Sequence, residues 1–310
     1  MLSVLVTGAS GFLGRAVMAE GTSRTGMTVQ GTAFSRSGDG LTKLDLNDFE
    51  GTKAFLEDYT PDVVVHCAAE RKPDQCEKFP EDSRRLNVDS TRNLAKLAAQ
   101  LQFSLIYIST DYVFNGFAPP GGYDVDDAPS PTNFYGQTKR DGELSCLEEA
   151  ESGAKVSILR VPVLYGASPE NSESAINVLL DAVRRSADKK TTTMMDDWAT
   201  RFPTNTADVA RVLIDLAELL QQRRLPSILH FSAQEPMTKF DIATLFASLH
   251  SPPLVTKYLE SDAKGPQPGD TVRPRNCHLS NRALGETGVD CKAVNFRDWS
   301  KQFVQGIVQE

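Results

Sequence analysis

Tyr135 and Lys139 stand four residues apart in "NFYGQTKRDGE", so on a helix their side chains share one face. A phenol and an ammonium so placed can act together on a carbonyl. The cation lowers the phenol pKa, and the phenol passes its proton to the developing alkoxide as a hydride arrives. Such pairs also occur on ordinary surface helices, so the neighbouring residues have to decide. Upstream, "FSLIYIST" reads as a strand ending in Ser109 and Thr110, where a hydroxyl can donate to a substrate carbonyl or to the tyrosine. Thr110, Tyr135 and Lys139 are therefore the candidate catalytic set, if the protein is redox-active.

A hydride needs a carrier, and the first residues carry the pattern of a dinucleotide cradle. In "VTGASGFLG" a strand-forming run ends at Thr7, and Gly8, Gly11 and Gly14 follow where a helix begins. Gly8 permits the tight turn, Gly11 lets the main chain approach a pyrophosphate, and Gly14 lets helix and strand pack closely. With Ser10, Phe12 and Leu13 these residues form the expected cradle. The second strand closes in "TAFSRSG", where Phe34, Ser35 and Arg36 replace the acid that would bind a free ribose 2′-hydroxyl. A hydroxyl and a guanidinium suit a 2′-phosphate, so the expected cofactor is NADP(H). Further on, "HCAAER" offers the small run Cys67, Ala68 and Ala69, which lets backbone and cofactor meet, followed by Arg71.

Positioning these residues requires a regular scaffold. Across the first half, β-rich runs ("LSVLVTG", "TVQGTAF", "PDVVVHCAA", "FSLIYIST", "KVSILRVPVLYG") alternate with helical patterns, one of them opened by an Asn47 cap and another a long helix over "EDSRRLNVDSTRNLAKLAAQL". Strand–helix alternation implies right-handed crossovers and a parallel sheet covered on both faces, an α/β Rossmann-type doubly wound fold. Residues 1–165 are the expected dinucleotide domain, with part of 204–232 completing its sheet, and 166–310 a smaller mixed α/β lobe. The 310 residues carry a formal charge of -8 and no Lys/Arg block, which argues against nucleic acid or an anionic membrane as partner. Five scattered cysteines without a C-x-x-C pair read as reduced thiols in the cytoplasm, and no metal site is expected from four unclustered histidines. His66 and His230 lie in apolar strand runs and read as structural. Strand-forming residues begin at Leu2, so no signal peptide is expected, and no apolar run reaches 18 residues.

The G-x-x-G-x-x-G spacing with "TGASG", followed by the Tyr–Lys pair, resembles the extended short-chain dehydrogenases/reductases. Within them, "STDYVF", "YGQTKRDGE" and "LRVPVLYG" resemble the dTDP-4-dehydrorhamnose reductase group. "VHCAAERKPD", "LNVDSTRNLAKLAA", "DDWATRFPTNTADVA", "EPMTKFDIA" and "RPRNCHL" extend the likeness, over about residues 4 to 298, to the regulatory β subunits of methionine adenosyltransferase. This resemblance implies that Asp45 and Leu46 border the adenine, that Leu164 lies at the cofactor, and that Lys139 holds the nicotinamide ribose. It also implies a catalytic methionine adenosyltransferase subunit as partner.

Two departures from the reductases bear on activity. Where they show "SWVYG" this chain reads Pro162-Val163-Leu164-Tyr165-Gly166, without the tryptophan. Where they carry a glycine in "D-Q-x-G-x-P-T", "DDWATRFPT" places Thr200-Arg201-Phe202. Losing an aromatic platform removes on the order of 1 kcal/mol of stacking. The expected function is thus an NADP-binding regulatory subunit, with an NADPH-dependent reductase of dTDP-4-dehydrorhamnose or a related carbonyl as the alternative.

Overall fold

The structure is a computed structural model and describes residues 1–35, 38 and 40–307. Its first half runs β1 (Leu2–Thr7), α1 (Phe12–Ser23), β2 (Met27–Ala33), β3 (Thr42–Lys43), α2 (Phe49–Tyr59) and β4 (Val63–His66). Short helices α3 (Pro73–Lys78) and α4 (Pro80–Arg84) lead into α5 (Ser90–Leu101), β5 (Ser104–Thr110), α6 (Phe134–Glu151) and β6 (Val156–Val161). After β7 (Leu164–Tyr165) come α7 (Val178–Lys189), β8 (Thr193–Asp196), β9 (Thr204–Asn205), α8 (Thr206–Gln222) and β10 (Ile228–His230). The chain continues through α9 (Lys239–Leu249), β11 (Leu259–Asp262), α10 (Arg282–Glu286) and α11 (Phe296–Val304).

Seven strands form one parallel sheet in the order β10-β6-β5-β4-β1-β2-β3. Strand side chains alternate between faces, and the core divides accordingly. Val4, Val6, Val63, Val65, Ile106 and Ile108 pack with α1 and α8 through Val17, Val209 and Leu213. Leu5, Val64, Leu105 and Tyr107 pack on the other side with Leu56, Leu94, Leu97 and Cys146. Because both faces are covered, the central strands read as continuous apolar runs rather than as alternating ones. A separate cluster around Tyr165, Leu180, Phe246, Trp299 and Phe303 holds α7, α9 and α11 together.

Local details depart from the sequence expectations. Asp48, not Asn47, caps α2: its carboxylate accepts from Gly51 N, while Asn47 bonds Asp45 Oδ1. The long helix expected before β5 is interrupted by a π turn at Arg85–Asp89, which turns Asn87 into the interior. There the Asn87 amide accepts from Glu70 N and donates to Glu70 O and Thr138 Oγ1, at 2.8, 2.9 and 3.1 Å. It ties the loop after β4 to the helix bearing Tyr135 and Lys139; π turns of this kind recur at functional sites. Helix α7 starts at Val178, just after the Ser174 hydroxyl takes the N–H groups of Ile176 and Asn177. Among the described residues no helix is long and apolar enough to cross a membrane.

Candidate functional site

The strand order reverses between the parallel neighbours β1 and β4, and the crevice beyond their carboxyl ends is the expected ligand position in such folds. A cavity of about 1130 Å³ lies there. Gly8 follows β1 at φ +66°, and a Cβ on it would come within 2.7 Å of Ala68 N. Any side chain at Gly14 would collide with the Gly8 carbonyl. Gly11 stands at the N-cap of α1 without a side-chain cap, so the helix presents open N–H groups at the cavity. This arrangement suits an anionic pyrophosphate.

Ser10, Gly11, Phe12 and Leu13, then Phe34, Ser35, Asp45 and Leu46, and then Cys67, Ala68, Ala69 and Arg71 line the same cavity. So do Thr110, Tyr135, Lys139 and Leu164. Thr7 does not line it; it is fully buried, and its hydroxyl lies 2.7 Å from His66 Nδ1. Arg36 lies outside the described residues. His66 also meets Thr91 at 3.1 Å, which accounts for both ring nitrogens structurally. Burial pushes the Cys67 thiol up to about 12, so it acts as a small spacer rather than a nucleophile.

Tyr135 and Lys139 lie in the first two turns of α6, which Asn133 caps by accepting from Gly136 N at 2.8 Å. Lys139 is buried; its Nζ sits 4.1 Å from the centroid of the Tyr107 ring, and desolvation lowers its pKa to about 8. The expected lowering of the phenol is absent. Burial raises Tyr135, and the Thr110 hydroxyl is what pulls it back. The pair therefore shares a helix face, but its lysine is engaged with Tyr107 rather than with the phenol.

Sequence reasoning missed the support behind this pair. Glu143, one further turn along α6, is fully buried and accepts from Ser109 Oγ at 2.6 Å. It also accepts from Arg160 Nε at 2.7 Å, Arg160 Nη2 at 2.8 Å and Arg140 Nη1 at 2.9 Å. Arg160 in turn reaches His230 Nε2 at 3.2 Å. The i, i+4, i+8 spacing of Tyr135, Lys139 and Glu143 was the available signal.

The opposite wall differs in character. Pro162, Val163 and Leu164 line the cavity, whereas Tyr165 turns away, fully buried against Phe296 at 4.8 Å and Trp299 at 4.6 Å. Arg201, Lys239 and Arg273 converge with Asp111 and Tyr112. They come from distant segments, and nothing in sequence spacing joins them. Asp111 is buried, accepts from Thr110 Oγ1 at 3.0 Å, and is pushed by desolvation up to about 7 against the pull of Arg201.

The RmlD substrate binding domain family model matches residues 2–308. The mouse "Methionine adenosyltransferase 2 subunit beta" is 42% identical over 92% of this chain and 82% of its own length. A "dTDP-4-dehydrorhamnose reductase" of Mycolicibacterium smegmatis is 30% identical over 96% of this chain and 82% of its own length. Among solved structures, the Bacillus anthracis dTDP-4-dehydrorhamnose reductase in complex with NADP has the same fold. Its TM-score is 0.79 at 23% identity, covering 99% of both chains.

Proposed function

The chain belongs to the RmlD substrate binding domain family, and within it to the methionine adenosyltransferase 2 beta subunits, and from that premise we propose that it is an NADP-binding regulatory subunit of methionine adenosyltransferase. The observation that carries this reading is the likeness to those subunits over 92% of the chain. The cavity is consistent with it, since the glycine cradle is open and Pro162, Val163 and Leu164 line the stretch where the reductases place an aromatic platform. In this reading residues 1–165, with part of 204–232, hold the dinucleotide, and residues 166–310 face the partner or a second ligand. Five free cysteines suit a reducing cytoplasm.

Gly8, Gly11 and Gly14 would admit the pyrophosphate, Asp45 and Leu46 would border the adenine, and Lys139 would hold the nicotinamide ribose. When bound, the nicotinamide supplies a hydride; this chain's part is to orient it and keep water out. The test mixes the purified protein with the methionine adenosyltransferase of its own organism, with and without NADP⁺. Co-elution and an altered rate of S-adenosylmethionine synthesis are expected; separate elution with an unchanged rate would sink the reading.

A reductase reading draws on one observation, the shared cavity position of Thr110, Tyr135 and Lys139. NADPH oxidation with dTDP-4-dehydrorhamnose, abolished by Tyr135→Phe, would make it the better account. For cofactor choice, Arg36→Ala is expected to weaken NADP⁺ by roughly 1.5–3 kcal/mol, the worth of a charged hydrogen bond, and NAD⁺ far less. Calorimetric titration with both cofactors checks this, and equal losses would remove Arg36 from the 2′-phosphate.

A further inference from the structure

One ion pair joins the glycine cradle to the chain that leads into α7. Arg15 stands at the end of the first turn of α1, its N–H bonded to Gly11 O at 3.0 Å. Its Nη1 donates to Ser10 O at 2.7 Å, so the guanidinium braces the loop of the cradle. Its Nη2 donates to Glu173 Oε2, and Nη1 also reaches Glu173 Oε1 at 3.4 Å. Glu173 belongs to the short turn Asn171–Glu173 between β7 and α7. Glu170, Glu173 and Ser174 line the same cavity as Ser10 and Gly11. On its other side this turn is anchored in the lobe. Asn171 Nδ2 donates to Asp181 Oδ1 of α7, Ser174 Oγ to Leu164 O, and Asn177 Nδ2 to Gly166 O, each at 2.8 Å.

The side chains of Arg15 and Glu173 are 33% and 17% exposed, so solvent screens this pair only in part. A carboxylate that lines a site suited to a pyrophosphate would repel it, since like charges at close range are unfavourable. Paired with Arg15, the carboxylate loses that repulsion, and the turn can stay beside the cradle. Packing does not account for Glu173, which is drawn from the lobe to the loop at the open N-terminus of α1.

We propose that Arg15 and Glu173 form a clamp that holds the turn 171–173 against the glycine cradle and slows release of the bound dinucleotide. The clamp rests on the cofactor reading above and adds to it the step that governs how long the cofactor stays. Both are positioning residues, acting through the turn they join rather than on the nicotinamide. Entry and exit require the turn to move aside, and breaking the pair favours that open arrangement.

The test follows release of NADPH by its fluorescence, after the complex is mixed with excess NADP⁺ in a stopped-flow instrument. Arg15→Gln and Glu173→Gln are each expected to speed release about fivefold. The double variant should release no faster than either alone, because each change removes the same clamp. Arg24→Gln, which breaks the pairs with Glu20 and Asp215 at the other end of α1, should leave the rate unchanged. A role through charge alone gives opposite signs, with faster release in Arg15→Gln and slower release in Glu173→Gln. That result would overturn the clamp, as would unchanged release in both variants. Amide hydrogen exchange in the cofactor-free protein is a readout without ligand: protection of residues 171–175 should fall in both variants, and unaltered protection would also overturn the clamp. If NADPH failed to bind at all, the cofactor reading would fall and the clamp with it, whereas binding with unchanged release removes the clamp alone.

Discussion

Replacing Glu143 with glutamine is expected to lower the unfolding free energy by about 3–5 kcal/mol, the usual loss when one partner of a buried ion pair is removed. Burial alone would raise this carboxyl, yet Arg160, Ser109 and Arg140 together hold it below the usual carboxylate range. Glutamine keeps the shape but removes the charge, and it turns an amide donor towards groups that themselves donate. Arg160, fully buried on β6, is then left without a counter-charge. Urea unfolding should show a lower midpoint with an unchanged slope. Arg140→Gln should do much less, because that side chain is 21% exposed and solvent screens its charge. The joint replacement Glu143→Leu with Arg160→Met should recover part of the loss, since an apolar pair of similar volume avoids the desolvation of both ions. A midpoint unchanged in Glu143→Gln would show that the network does not support the sheet.

Asp111→Asn is expected to act in the opposite direction and to stabilise the protein at pH 8 by on the order of 2 kcal/mol. Desolvation carries the folded pKa from 3.8 to about 7, even though Arg201 and Thr110 pull the other way. Between those values the native state keeps a proton that the unfolded chain has lost. Stability from this group is therefore fully present below pH 3.8, falls as pH rises towards 7, and is flat above. The ceiling on the effect is about 4 kcal/mol, at 1.36 kcal/mol per pKa unit. Thermal unfolding at pH 5 and pH 8 checks it: the advantage of the asparagine variant should widen at pH 8. An equal difference at both values would mean that Asp111 titrates as an ordinary surface acid. A carboxyl retained at this price in stability, with Thr110 donating to it, fits a wall shaped for a ligand rather than for packing.

How much was legible beforehand differs between the two walls of the cavity. The cradle, the strand end at Thr110 and the helix pair are short-range patterns, and their chemistry follows from local spacing. Gly8 is an example: its left-handed φ comes from a turn that the sequence marks directly, whereas its closeness to Ala68 comes from the pairing of β1 with β4. The Thr7 hydroxyl points inward to His66 rather than into the cavity, and alternation along the strand decides that. Asn87 was passed over because a π turn cannot be told from a continuous amphipathic helix by its apolar spacing.

The sequence by itself determined the class of sheet, the place of the glycine cradle and the Tyr135–Lys139 face, since each depends on residues within one or two turns. Only the tertiary structure decided that Lys139 lies over Tyr107, that Glu143 closes a buried network with Arg160, and that Arg201, Lys239 and Arg273 share one wall. Those meetings join residues 17 to 72 positions apart. The first two are set by how α6 packs on β5 and β6, the third by how the later segments meet at the cavity, and spacing along a single chain carries no record of either.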